Sequence, residues 1–194
     1  MNASTISETG FADTVVGIAK STWAIDPGHT VAEFGVKHLM VSTVKGRFTG
    51  VSGTIELDET DISRSRVDVV IDVGTVSTHD EKRDAHLRSD DFFAAEKFPQ
   101  ITFKSTKVEQ NGEDRLNVSG NLTIRGVTLP VTLYVEFNGR ATAPWGSEVI
   151  AYSAATTINR KDFGLTWNVA LEAGGVTVGD KVKISIEAEA IKQA

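Results

Sequence analysis

The 194-residue sequence contains no cysteine. That removes disulfides, thiolate metal ligands and a cysteine nucleophile together. It also lacks a basic surplus: 20 Lys and Arg stand against 26 Asp and Glu, for a formal net charge of -6. With no basic cluster, nucleic acid is not an expected partner, because phosphate binding needs Lys and Arg gathered on one face. No apolar run approaches the ~18 residues that a spanning helix requires, so no transmembrane segment is expected. A P-loop, a G-x-G-x-x-G after a strand, a G-x-S-x-G elbow and an H-E-x-x-H helix are all missing, and with them the usual enzyme signatures. Hydrophobic residues at 40% and charged residues at 24% are ordinary for a soluble domain.

The length suits a single domain. Residues 1–20 carry Glu8 and Asp13, have no positive n-region, and offer only Val15 to Ala19 as an apolar stretch. This is too short for a signal-peptide core. The expectation is a flexible N-terminal extension over 1–20, a domain over 21–194, and a cytoplasmic location.

What is present is alternation. In the run from Ala32 to Asp58, the residues Ala32, Phe34, Val36, His38 and Met40 share one face of an extended backbone, with Glu33, Gly35, Lys37 and Leu39 on the other. Glycines at 35, 46, 50 and 53 punctuate this hairpin, and Gly46 and Gly50 are expected to bend it so that a sheet can curl. Every odd position from Val127 to Phe137 is apolar, and Pro130 predicts an edge, an opening or a bulge there because it cannot donate to a ladder. Arg66 to Val76, Leu116 to Ile124, Glu148 to Asn159 and Lys181 to Ala190 also read as strands. Turns are expected at Asp26-Pro27-Gly28, Asn111-Gly112 and Arg125-Gly126. Clean alternation with hairpin connections predicts an all-β antiparallel barrel or sandwich of about eight strands.

One stretch breaks the pattern. Thr78-His79-Asp80-Glu81 has the spacing of a capping box, predicting a helix from about His79 to Arg88, with a second turn over Asp90 to Ala95 capped by Ser89. Residues 168–175 are expected to form a short helix or a loop.

The segments W-A-I-D-P-G-H-T at 23–30, F-G-V-K-H-L-M-V-S-T-V-K-G-R-F at 34–48, H-L-R-S-D-D-F-F at 86–93, K-F-P-Q-I-T-F-K-S at 97–105, V-S-G-N-L-T-I-R-G-V-T at 118–128 and I-N-R-K-D-F-G-L at 158–165 follow one another in order. Together they resemble the YceI-like family of bacterial lipocalin-like proteins over roughly residues 22–192. The resemblance implies an extended antiparallel barrel with one main inserted helix. It also implies a long apolar tunnel holding a polyisoprenoid, such as the tail of an isoprenoid quinone. Many relatives in that family are exported.

The expected lining is Phe34, Val36, His38, Met40, Phe48, Phe92, Phe93, Phe98, Ile101, Phe103 and Trp167. Each is as readily ordinary core, and their grouping near the helix insertion is what favours a lining. His38 on an apolar face is read first as a hydrogen-bonded structural histidine. His79 and His86 are seven apart and Asp80 and Asp84 four apart, which puts the two pairs on different helix faces and favours a solvated helix over a metal or acid/base site. Arg160, Lys161 and Asp162 are expected to close a barrel end through a local ion pair, and Arg160 or Arg47 is available to a polar head group. No metal and no cofactor other than the lipid is expected. A homodimer is compatible with the pattern, and no residue demands one. The expected function is non-enzymatic binding, carriage or storage of the lipid. The alternatives are an enzyme using His38 or the His79/His86 helix, and a stress-response module with a filled core.

Overall fold

The computed structural model describes residues 20–170 and 176–194. The extension expected over residues 1–20 thus lies outside the described residues except for Lys20, as does most of the segment expected to be helix or loop at 168–175.

Ten antiparallel strands are present among the described residues: β1 (Lys20–Ile25), β2 (Val31–His38), β3 (Ser42–Phe48), β4 (Val51–Asp58), β5 (Arg66–Asp72), β6 (Gln100–Gln110), β7 (Arg115–Ile124), β8 (Val127–Thr142), β9 (Glu148–Asn159) and β10 (Val178–Lys192). Eight of them close a ring in the order β1, β4, β5, β6, β7, β8, β9, β10 and back to β1. The fold is an all-β, lipocalin-like barrel, and the expected count of about eight strands matches this ring. The remaining two arise from breaks. Along one edge of β10, Ile25 pairs with Ala190 and Val31 with Glu187, so β1 and β2 are successive halves of one path parted at Asp26–Pro27–Gly28. Likewise β3 pairs with β2 while β4 pairs with β1 and β5, the two parting at Thr49 and Gly50.

Gly46 is not the expected bend. It lies inside β3 opposite Phe34, and a Cβ built there would sit 2.3 Å from the Phe34 Cζ. Its lack of a side chain seats the Phe34 ring against the sheet. Of the two expected bends only that at Gly50 forms, in the break between β3 and β4, where its amide donates to Thr75 Oγ1 (3.0 Å). The Arg125-Gly126 turn forms as expected, with φ of 50° and 75°, the left-handed pair of a tight hairpin. Pro130 also behaves as expected: β9 pairs with β8 only from Tyr134 onward, leaving the Pro130 stretch with a strand on one side alone.

Because β3 does not pair with β5, the wall has a gap at that end, spanned by residues 73–99. Its links to β3 are the reciprocal bonds between Arg47 and Ser77, both 2.9 Å. This segment contains α1 (Glu81–Arg88), the one α-helix among the described residues. The capping box does not form. His79 takes a left-handed φ of 59°, so the helix starts later and Asp80 is its N-cap, accepting from the Arg83 amide (3.0 Å). Thr78 binds Asp84 instead: Asp84 Oδ1 accepts from the Thr78 amide (2.8 Å) and its hydroxyl, and Arg83 Nε donates to Thr78 Oγ1 (2.7 Å). Asp84 is consequently buried, and α1 is not the fully solvated helix that its charges suggest. Past Ser89 the chain makes reverse turns, with Phe92 N and Ala94 N both donating to Ser89 O, in place of a second helical turn.

Phe48, Val73, Val76, Phe92, Phe163 and Leu165 belong to a large cluster beneath the 73–99 segment, and Trp23, Ile55, Ile150 and Ala190 form a second one beside β1. Replacing Gly46 by alanine should displace the Phe34 ring and lower stability by about 1–3 kcal/mol, as overpacking does. Urea denaturation of the variant against wild type measures this directly.

Candidate functional site

The inward faces of the strands do not fill the barrel. They enclose an apolar cavity of about 430 Å³, within the ~300–1,000 Å³ of small-molecule sites. A fully filled core therefore does not describe this interior. Of the residues expected to line it, Phe34, Val36, His38, Phe48, Phe92, Phe93, Ile101, Phe103 and Trp167 do so. Met40 and Phe98 do not. The inward alternation ends at His38 because the chain reverses through Leu39 and Met40, leaving Met40 at φ 60° and 56% exposed. Phe98 is turned away by the Ala94–Phe98 backbone bond, and its ring lies over Gly126, where an added Cβ would come within 2.7 Å of Cε1. Further lining residues, including Leu116, Leu133, Val135, Ile158, Ile184 and Ile186, are legible in the alternation only as inward-facing. Nothing in such a pattern separates lining from filling.

Polar groups gather where β2, α1 and the chain after β9 meet: His38, Thr78, Arg83, His86 and Thr177 all border the cavity there. His86 meets Phe92 and Trp167 edge-on, with ring centroids 5.0 and 4.8 Å away, and its Nε2 bonds Asp91 Oδ2 at 2.8 Å. His79, by contrast, is exposed and does not border the cavity, so the His79/His86 pair is not assembled into one site. The His38 ring has no hydrogen-bond partner among the described residues, against the expectation of a satisfied wall histidine. It is half-buried and opens on the cavity.

With that geometry in place, the comparisons with known proteins are specific. The YceI-like domain model matches residues 23–190. The chain belongs to the YceI-like family. A UPF0312 protein of Staphylococcus aureus (strain N315) is 41% identical over 170 residues, covering 87% of this chain and 96% of that protein. The crystal structure of a Campylobacter jejuni YCEI protein superposes with a TM-score of 0.68 at 35% identity, covering 81% of this chain and 90% of that one. BcnA of Burkholderia cenocepacia shares the fold at a TM-score of 0.73 and 23% identity, covering 85% and 98% of the two chains. A polyisoprenoid binding domain from Saccharophagus degradans, implicated in plant cell wall breakdown, shares it at 0.63 and 17%, covering 88% and 98%.

In this YceI-like barrel Arg160 closes the cavity end, though not through the expected ion pair with Asp162. Only 4% exposed, it donates Nε to Gly179 O (2.9 Å), Nη1 to Leu165 O and to Trp167 O (2.9 Å), and Nη2 to Val178 O (3.3 Å), with Asp180 Oδ1 at 3.6 Å. Burial pulls its pKa below the ordinary arginine value, partly opposed by Asp180. The guanidinium thus fixes the backbone that carries Trp167. Arg47 is exposed and does not border the cavity. At the far end, Leu57, Ile62, Leu116 and Tyr152 border both the main cavity and a smaller one of about 280 Å³, where Arg140 and Glu59 pair at 2.7 Å. Burial there raises the Tyr152 pKa.

Outside the cavity, Asp26, His29 and Glu189 bring one potential ligand atom each within 4.8 Å of one another at the break between β1 and β2. His29 Nδ1 lies 2.8 Å from Asp26 Oδ2 and 3.8 Å from Glu189 Oε1. Its bond to Asp26 holds His29 above the ordinary value of 6.5, and the same bond, with one from the Gly28 amide, holds Asp26 below 3.8.

Two outcomes are expected. Arg160→Leu leaves several buried carbonyls without donors and should cost about 2–5 kcal/mol, accompanied by a red shift of tryptophan fluorescence. The raised His29 pKa contributes stability that is fully present below the unfolded value and is lost as pH rises through the folded one. The Asp26 contribution is lost as pH falls through its lowered value. Wild type should therefore exceed His29→Ala most between about pH 4 and 6.5 and converge with it at higher pH, with the gap shrinking in salt.

Proposed function

We propose that this YceI-like protein binds a long-chain polyisoprenoid lipid in its barrel cavity and carries or stores it without transforming it. The observation that carries the reading is the cavity itself: side chains from nearly every strand present hydrocarbon to an unfilled space, and polar groups border it mainly at its ends. A prenyl tail moved from water onto such a wall gains roughly 0.8 kcal/mol per buried CH₂-sized group and needs few polar contacts. The Saccharophagus degradans neighbour, a polyisoprenoid binding domain, supports the same ligand class.

The mouth favours a hydrogen-bonding head group such as that of an isoprenoid quinone. Both guanidinium groups bordering it are already engaged, Arg83 by Thr78 and Arg160 by backbone carbonyls, whereas the His38 ring is unpartnered among the described residues. The Thr78 hydroxyl there is tied to Asp84 and to Arg83 Nε within the structural network of the 73–99 segment, and we assign no catalytic residue, metal or further cofactor.

Organic extracts of the protein purified from its own host, analysed by mass spectrometry, should contain a prenyl lipid in near-stoichiometric amount. Protein that carries none and takes up no added quinone in detergent solution overturns the proposal. Ala154 and Ala188 are small cavity-wall residues. Ala154→Phe projects a ring into the space and should weaken uptake at least about tenfold, equivalent to ~1.4 kcal/mol, with the barrel still folded.

A further inference from the structure

The hairpin joining β2 and β3 presents three consecutive apolar side chains to solvent: Leu39 is 40% exposed, Met40 56% and Val41 81%. Leu39 and Met40 also hold left-handed backbone conformations, with φ of 50° and 60°. Asn, Asp or Gly occupy such positions in tight hairpins with least strain. Here the chain keeps two large hydrophobic residues in them, and nothing among the described residues covers them. Val169, 50% exposed, extends the patch: the Leu39 amide donates to Thr177 O (2.9 Å), and the Thr177 amide donates to Val169 O (3.0 Å). The patch is continuous with the cavity mouth, since His38 immediately precedes it and Thr177 lies beneath it, and both border the cavity.

The charge around this tip runs against the charge of the molecule. The whole chain is acidic at -6. Yet the outer face of the β3–β2–β10 sheet carries Lys37, Lys45, Arg47 and Lys183, all exposed, with Lys45 and Lys183 flanking Gly35 in register. None of the four takes part in an ion pair among the described residues. Glu33, in register with Arg47, and exposed Glu187, in register with Val31, are acids on that face, both farther from the tip than Lys37, Lys45 and Lys183, and Asp180 near the tip is held by Arg160 and Lys161.

We propose that this tip is a docking surface for an anionic lipid bilayer, seating the cavity mouth on the membrane. Apolar side chains enter the interfacial region while neighbouring lysines meet the anionic head groups. For an otherwise acidic protein, this orientation brings a basic face to the surface and turns the repelled remainder away. The purpose of the contact rests on the reading of the cavity as a lipid site, because it gives a prenyl lipid a short path from bilayer to barrel.

Sedimentation of the full chain with phosphatidylcholine vesicles, with and without phosphatidylglycerol, tests it at low ionic strength. Binding should require phosphatidylglycerol, weaken in salt, and fall at least about tenfold in both M40D/V41D and K37A/K45A, each near-surface lysine contributing roughly fivefold. Equal binding by wild type and both variants overturns the proposal. So does self-association of wild type in sedimentation velocity that M40D/V41D abolishes without any vesicle binding, since the tip would then be an interface with a second copy. Quinone uptake measured in detergent separates the two readings. Wild type that takes up quinone without binding vesicles overturns docking alone, and wild type that docks without uptake overturns the cavity reading alone.

Discussion

The fold depends on closing a ring of backbone hydrogen bonds around a space that side chains do not fill. The closing seam is short: Trp23, Ala24 and Ile25 of β1 meet Lys192, Ile191 and Ala190 of β10, with bonds from Asp26 N to Glu189 O and from Gln193 N to Thr22 O, both 2.8 Å, extending it at either end. β10 bears most of this burden, since it pairs with β9 along nearly its whole length and with β1 and β2 on its other edge. An ordinary domain would add a central packed core to such a ladder. Here the largest apolar cluster runs along the barrel wall and a smaller one lies at the seam, where Trp23, fully buried, anchors the part of the ring with the fewest strand pairs.

The same emptiness dictates where polar groups are placed. A guanidinium beside a hydrocarbon space must have its donors satisfied by protein, and Arg160 meets that demand with four backbone carbonyls that also shape the mouth. The Thr78–Asp84–Arg83 network does the same for the segment that spans the gap beside β3. Arg160, Arg83 and Asp84, the charges drawn in beside the cavity, are thus held by the backbone and the hydroxyl around them, and the same bonds make that end of the barrel rigid.

Much of the barrel was legible in the sequence, because period-two alternation is a direct imprint of a sheet with one apolar face. β7, β8 and β10 follow it closely, and the motifs resembling the YceI-like family imply the barrel with one inserted helix that is found. The failures have physical reasons. Alternation tells direction and not where a strand stops, so it extends the wall to Met40 although the chain reverses after His38. A capping box assumes helical geometry at the next residue, and His79 in a left-handed conformation defeats it. Asp26-Pro27-Gly28-His29 reads locally as a turn, but its role in passing the β10 edge from β1 to β2 depends on Glu189, some 160 residues away and invisible to local pattern. An apolar face predicts a satisfied histidine at His38 only where the neighbouring space is filled, and here it is a void. Above all, a pattern of inward residues cannot reveal whether the facing residues touch.

The stretch of β8 around Pro130 has a consequence beyond the cavity. A strand paired on one side only offers its free amides and carbonyls to any other extended chain, and such edges seed aggregation. At this end the barrel splays apart and leaves an edge of that kind beside β9. Proline interrupts it by removing one donor from the row. The protein thereby keeps an open rim without presenting a continuous template for foreign strands.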